Sequence, residues 1–348
     1  MALGGEHDLD RVLSGTGYRA IRPLGAGGMG EVFEAEHLAL GRRVVVKLLH
    51  RHLFTRADLA DRMRLEGEAL GSVSHPNVVA ALDCGVTVDR RPYLVLERLA
   101  GRTLREELDA RGKLPAAEAI DLAAQALDGL EAVHRAGMIH RDIKPENVFV
   151  CDAMPGLGRV VKLLDLGVAK LVEAGAWPIP LAVPTEQGIT LGTPRFFSPE
   201  QATGEPVDGR SDVYAMGVVL YAMLTGRTPF ERHTTVAALL HAHAAELPIP
   251  PSRLLRDPIP PDLDTAILRS LAKRPSDRFP SAAAFALELR ALTSRASVDR
   301  ASPAPSPSPA PPPAPPAAMG SARLFFSVLA ASLLLSLVVT TLALLVFR

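Results

Sequence analysis

Residues 140–147 read His-Arg-Asp-Ile-Lys-Pro-Glu-Asn. Three side chains in that run carry complementary chemistry. Asp142 can accept a hydroxyl proton, Lys144 can neutralise an anionic group in transit, and Asn147 can hold a metal ion. A lone His-Arg-Asp arises often by chance, whereas the eight-residue string does not. Such a loop needs partners elsewhere: a cradle for phosphate oxygens, a strand-borne cation and a second metal ligand.

The cradle is legible in Gly-Ala-Gly-Gly-Met-Gly-Glu-Val at 25–32, where Gly25, Gly27 and Gly30 form a GxGxxG pattern and Gly28 adds a fourth glycine. Glycine lets backbone amides approach phosphate oxygens with no Cβ in the way. Dinucleotide-binding folds use the same pattern, but they need a helix directly after it. Here Glu-Val-Phe-Glu-Ala-Glu continues as a strand, so a strand-turn-strand cover is expected, with Leu24 and Val32 at its edges. Lys47 ends the run Val44-Val45-Val46, 17 residues beyond Gly30, as a cation at the end of a buried strand. It needs a carboxylate, and the next helical stretch, 57–71, offers Glu66 and Glu68. Glu66 falls on the stripe of Leu59 and Met63, while Glu68 lies about 180° around the helix, so Glu66 is the expected partner. Asp165, with glycine two residues on, follows an apolar strand and suits a second metal ligand. Glu200 is expected to pair with Arg278, and Asp212 to brace the backbone of the 140–147 loop.

Equal numbers of basic and acidic residues, 38 each, give no argument for a nucleic-acid partner. Two cysteines cannot build a disulfide framework. The first residues carry neither an apolar run nor a second-position glycine, so neither a secretory signal nor myristoylation is expected.

The texture changes along the chain. Residues 18–50 and 93–97 read as strands, and 147–151 with 159–164 as a hairpin. Residues 115–137, 211–225, 234–245, 262–272 and 281–292 read as helices. A β-rich first third before an α-rich remainder predicts an α+β fold in two lobes, about 18–99 and 100–292, after a 1–17 extension. Residues 293–323 form an Ala/Pro/Ser-rich linker whose 301–318 stretch holds nine prolines; that stretch would span up to about 56 Å at ~3.1 Å per residue. Residues 324–347 are uncharged and proline-free, and at ~1.5 Å per residue they would make a helix of about 36 Å, enough to cross a ~30 Å hydrocarbon core. Arg323 and Arg348 bracket that span, so charge asymmetry sets no orientation. Ser332, Ser336 and Thr340 recur every four residues; such a stripe either seats two helices closely, as in a homodimer, or faces lipid.

Taken with Ser-His-Pro-Asn-Val-Val at 74–79, Asp-Leu-Gly at 165–167 and Gly-Thr-Pro-Arg-Phe-Phe-Ser-Pro-Glu-Gln at 192–201, these motifs resemble the eukaryotic-like, membrane-anchored bacterial serine/threonine protein kinases over about 18–292. The resemblance implies the two-lobed kinase fold, with ATP between a β-rich N-lobe and a helical C-lobe, and Mg²⁺ (or Mn²⁺) as metal. It implies that Leu24, Gly25, Gly27, Gly28, Gly30, Val32 and Lys47 line the nucleotide. Glu97 and Leu99 would offer backbone hydrogen bonds to adenine beside Leu96, while Asn147 and Asp165 would bind metal. Asp142, Lys144, Lys47, Glu66 and Thr193 would carry catalysis on protein Ser/Thr acceptors. Arg141 would meet a phosphate on the activation segment, where Thr185 and Thr190 are the candidate acceptors. Phosphorylation there and plain loop threonines are the two readings, and the stretch 171–184 has no assigned role. ATP dependence places the catalytic region in the cytoplasm of a single-pass protein of the bacterial inner membrane. A non-catalytic scaffold would lack Lys47, Asp142 or Asp165, and all three are present. A small-molecule phosphotransferase is disfavoured by the 192–201 segment, which resembles a groove for protein substrates.

Overall fold

The computed structural model describes residues 9–26, 30–51, 64, 67–153, 158–165 and 194–301, with backbone only at 10 and 295–301. Glu66, Gly27, Gly28, Thr185, Thr190, Thr193, the 171–184 stretch and 324–347 all lie outside the described residues. The chain divides into two units, 1–298 and 299–348, and the described residues belong almost wholly to the first.

Small and β-branched side chains alternate about glycine turns from residue 18 onward, and this period-two pattern folds as strands. The strands are β1 (Tyr18–Ala26), β2 (Gly30–His37), β3 (Arg42–Leu49), β4 (Ala81–Val86) and β5 (Pro92–Glu97), in the sheet order β1-β2-β3-β5-β4. All four pairings are antiparallel. Phe33, Ala35, Val44, Val46, Leu48, Tyr93 and Val95 pack on one face. That core also takes Leu13, only 2 % exposed, from just past the short helix α1 (Leu9–Val12). The 1–17 extension is therefore in part a piece of the first lobe.

The opposite face contributes Leu49, Leu94 and Leu96 to a cluster with Leu70, Val73, Val78, Val79 and Val133, and so reaches the second lobe. The His-Pro-Asn segment makes the crossing. Asn77 accepts from Leu163 N–H at 2.9 Å, its Nδ2 donates to the Val161 carbonyl at 2.8 Å, and Val79 N–H donates to the Leu163 carbonyl at 3.0 Å. Gly129 permits this approach, since a Cβ there would sit 2.6 Å from the Asn77 carbonyl oxygen.

In the second lobe α2 (Leu104–Arg111), opened by a Thr103–Glu106 capping box, leads to α3 (Ala116–Arg135). A small sheet joins β6 (Gly101–Thr103), just before α2, to β7 (Val148–Cys151) and β8 (Val161–Leu163), so the hairpin expected at 147–164 is present. Then come α4 (Pro199–Thr203), α5 (Gly209–Thr225), α6 (Val236–Ala245), α7 (Pro261–Ser270) and α8 (Ala282–Ala301). Every residue of α5 from Ser211 to Leu224 is buried, which makes it the hydrophobic axis of this lobe. Among the described residues no helix is long and apolar enough to cross a membrane.

Candidate active site

The β3 strand carries Lys47 inward to a point opposite Val32 on β2 and Leu94 on β5. Its Nζ lies 3.1 Å from Asp165 Oδ1, joining residues 118 apart in sequence. Asp165 adopts φ of 45°, in the left-handed region that costs an ordinary side chain about 1 kcal/mol or more. The surrounding bonds hold it there. Leu164 N–H donates to the Asn147 carbonyl at 2.9 Å, and His140 Nε2 donates to the Leu164 carbonyl at 3.0 Å. Burial pushes His140 below its ordinary value, so its ring is neutral. Nδ1 is then the acceptor for Asp142 N–H at 3.4 Å, which fixes the tautomer.

The 140–147 loop folds onto its own aspartate. Lys144 Nζ donates to Asp142 Oδ2 at 2.8 Å, and Asn147 Nδ2 donates to that oxygen at 3.0 Å and to the Asp142 carbonyl at 2.8 Å. From below, Asp212 at the start of α5 accepts from Arg141 N–H through Oδ1 and from His140 N–H through Oδ2, both at 2.8 Å. This is the bracing role expected of it. Arg141 itself has φ of 62°, a strained turn that the two Asp212 bonds secure. The segment after 193 is anchored as expected too. Arg278 Nη1 and Nη2 reach Glu200 Oε1 and Oε2 at 2.7 and 2.8 Å, with both side chains buried.

The donor set suits a hard divalent cation. The amide nitrogen of Asn147 is committed to Asp142, which leaves its Oδ1 for a ligand. Asp165 contributes its other carboxylate oxygen, Oδ2, with the side chain 48 % exposed. One or two protein oxygens completed by phosphate and water is the usual binding of Mg²⁺.

Glu68 is exposed and ion-paired with Arg64, as its solvent-side position predicts. Leu24 and Gly25 are exposed, Val32 and Leu99 are half-buried, and Leu96 is buried. Glu97 ends β5, and its side chain accepts from Lys162 Nζ at 2.6 Å and from Ala80 N–H at 2.8 Å. Lys162 was not anticipated, because 65 residues separate the partners and neither stands in a motif.

The same residues fall within a known family. The family model described as protein kinase domain matches residues 18–287. The chain belongs to the protein kinase family. It falls among the eukaryotic-like bacterial serine/threonine kinases. It is 41% identical over 268 residues to the serine/threonine-protein kinase Pkn1 of Myxococcus xanthus, covering 77% of this chain and 37% of that protein. It is 37% identical over 294 residues to the probable serine/threonine-protein kinase PknB of Corynebacterium glutamicum, covering 82% of this chain and 44% of that protein. The chain thus spans less than half the length of these curated relatives. The crystal structure of the PknI kinase domain of Mycobacterium tuberculosis shares the fold, with a TM-score of 0.61 at 24% identity, covering 84% of this chain and all of that one. Protein kinases as a family use ATP and a divalent metal.

Proposed function

We propose that this protein is an ATP-dependent serine/threonine kinase, tethered to a membrane by 324–347, that phosphorylates protein hydroxyls and its own activation segment. One observation carries the catalytic part. Lys47 from β3 and Asp165 after β8 meet at 3.1 Å, beside the loop that bears Asp142, Lys144 and Asn147.

ATP would supply the phosphoryl group, and Asn147 and Asp165 would hold Mg²⁺, which would offset charge on the phosphate oxygens. The remaining work is positioning and charge placement by the chain itself. Asp142 orients the acceptor hydroxyl and takes its proton. Lys144, already on the Asp142 carboxylate, is placed to meet the negative charge of the transferring group. Lys47 holds the α- and β-phosphates under the glycine-rich turn, and Glu66 keeps Lys47 in line. Thr193 adds a hydroxyl that favours aliphatic acceptors, and the backbone of Glu97 and Leu99 reads adenine. Thr185 or Thr190, once phosphorylated, would be gripped by Arg141. The kinase domain then lies on the cytoplasmic side, where ATP is available, and acts on proteins, with no nucleic-acid partner.

The test uses the full chain in lipid nanodiscs with labelled ATP and a generic protein acceptor. Label on serine and threonine that is absent from the Asp142→Asn protein supports the reading. Full labelling by Asp142→Asn removes it. Extraction of the full chain by carbonate alone would refute the membrane tether, and phosphopeptide mapping with Thr185 and Thr190 both unmodified in active protein would refute the regulatory sites.

A further inference from the structure

Arg91 is buried, with 5 % of its surface exposed, at the foot of β5. Its Nη2 donates to Glu31 Oε2 on β2 at 2.7 Å, and its Nε donates to the Leu49 carbonyl at the end of β3 at 2.9 Å. The turn before it holds the guanidinium in place: Thr87 N–H donates to the Arg91 carbonyl and Arg91 N–H donates to Thr87 Oγ1, each at 3.0 Å. Burying such a pair carries a desolvation cost that well-packed apolar side chains would avoid. What the planar fork adds is geometry, because it reads two strands at once from fixed donor positions.

Those two contact points flank the place where the glycine-rich turn enters β2. In the ladder Gly30 lies opposite Leu49, Glu31 opposite Leu48 and Val32 opposite Lys47. The approach at Gly30 is so close that a Cβ would sit 2.4 Å from the Leu48 carbonyl. The path of the chain at Gly30, the first residue of β2, is set by these rungs. Arg91 clamps those rungs. The opposite end of β5, at Glu97, lies about 20 Å away at ~3.3 Å per residue.

We propose that Arg91 is a positioning residue for the phosphate end of the nucleotide site, acting through Glu31 and the Leu49 carbonyl to hold Gly30 and the first rungs of the β2–β3 ladder, which run to Lys47, in place. The inference rests on the nucleotide reading above and assigns one of its devices. It requires that loss of Arg91 weaken binding of phosphates while leaving adenine recognition in place.

Calorimetry on the full chain with Mg²⁺ compares a non-hydrolysable ATP analogue with adenosine. For Arg91→Met the ATP analogue is expected to bind about tenfold more weakly, the scale of one charge-assisted hydrogen bond, with adenosine changed less than about twofold. Glu31→Gln should show the same selectivity, and the double variant should be no worse than the worse single one. If Arg91→Met does not fold, Arg91→Lys keeps a buried cation that reaches one acceptor and should show the same selective loss in milder form. Equal losses for both ligands, additive effects of the two sites, or a wild-type-like Arg91→Lys would overturn the inference. A wild-type chain that binds the ATP analogue no better than adenosine would overturn the nucleotide reading, and this inference with it.

Discussion

His134 Nε2 lies 2.8 Å from Asp212 Oδ2, the same carboxylate oxygen that accepts the His140 N–H at 2.8 Å. One oxygen thus links the end of α3 to the backbone of the catalytic loop. His134 stacks its ring against Gly209, where a Cβ would sit 2.9 Å from Nδ1. Asp212→Asn keeps one acceptor oxygen and loses the other, so either the His140 or the Arg141 N–H is left unpaired. A small shift of a catalytic loop can cost about 10²-fold in rate, and kcat of Asp212→Asn is expected to fall by one to two orders of magnitude with KM for ATP near the wild-type value. Gly209→Ala should lower kcat in the same sense but less. Steady-state kinetics of both variants check this, and an unchanged kcat in Asp212→Asn would refute it.

Asp142→Asn removes the proposed proton acceptor but keeps a side chain of the same size. The expected loss in kcat is about 10²–10⁴-fold, the usual contribution of a general base. Nucleotide affinity, measured by calorimetry, should stay within a few-fold of wild type, since the Asp142 carboxylate bonds to Lys144 and Asn147 within its own loop.

Chelation should abolish phosphoryl transfer, and Mg²⁺ should restore it. Asn147→Ala removes one of the two proposed metal-binding oxygens and also releases Asp142 from two hydrogen bonds. The Mg²⁺ concentration for half-maximal rate at saturating ATP is expected to rise about tenfold or more, in the range seen when groups supporting a metal are lost. A titration superimposable on wild type would exclude Asn147 as a ligand.

The Glu200–Arg278 pair makes a pH prediction. Burial alone would raise the Glu200 carboxyl, but Arg278 and the Ser211 hydroxyl outweigh it and hold the group below the usual carboxylate range. The unfolded chain therefore binds this proton more readily than the folded one. The stability contributed is fully present above about pH 4.3 and is lost as pH falls through the folded value. At pH 7, Arg278→Met strands a buried carboxylate and should cost about 3–5 kcal/mol, or about 10 °C in Tm for a domain of this size. The gap between variant and wild type should narrow below pH 4. Calorimetric Tm against pH measures both, and a constant gap down to pH 3 would contradict the assignment.

Much of the site was readable before any coordinates, and the residues show why. Asp142, Lys144 and Asn147 stand within six positions, so local spacing alone announces their chemistry. Asp212 and Arg278 were also legible, because each stands in a short polar string that leads into or out of a long apolar helix. Element type was legible where periodicity was strong, as in α3, or where a long apolar run left no strand-like alternation, as in α5. It was missed where it was weak: β4, whose exposed Leu82 and Val86 break the alternation expected of a half-buried strand, and α2, a short charged helix.

The sequence by itself determined the family and the two-lobed division and singled out the candidate reacting groups, because those depend on short strings and on periods of 2 and 3.6 residues. Beyond the Glu200–Arg278 pair and the Asp212 brace, tertiary structure decided which groups touch. The 118-residue join of Lys47 to Asp165, the Lys162 hold on Glu97 and the grip of Arg91 on two strands leave no trace in local spacing. Each arises when packing of apolar faces carries separate segments together and buries their polar groups. A buried donor or acceptor must then bond to whatever lies within reach, and the chain order does not encode that neighbour.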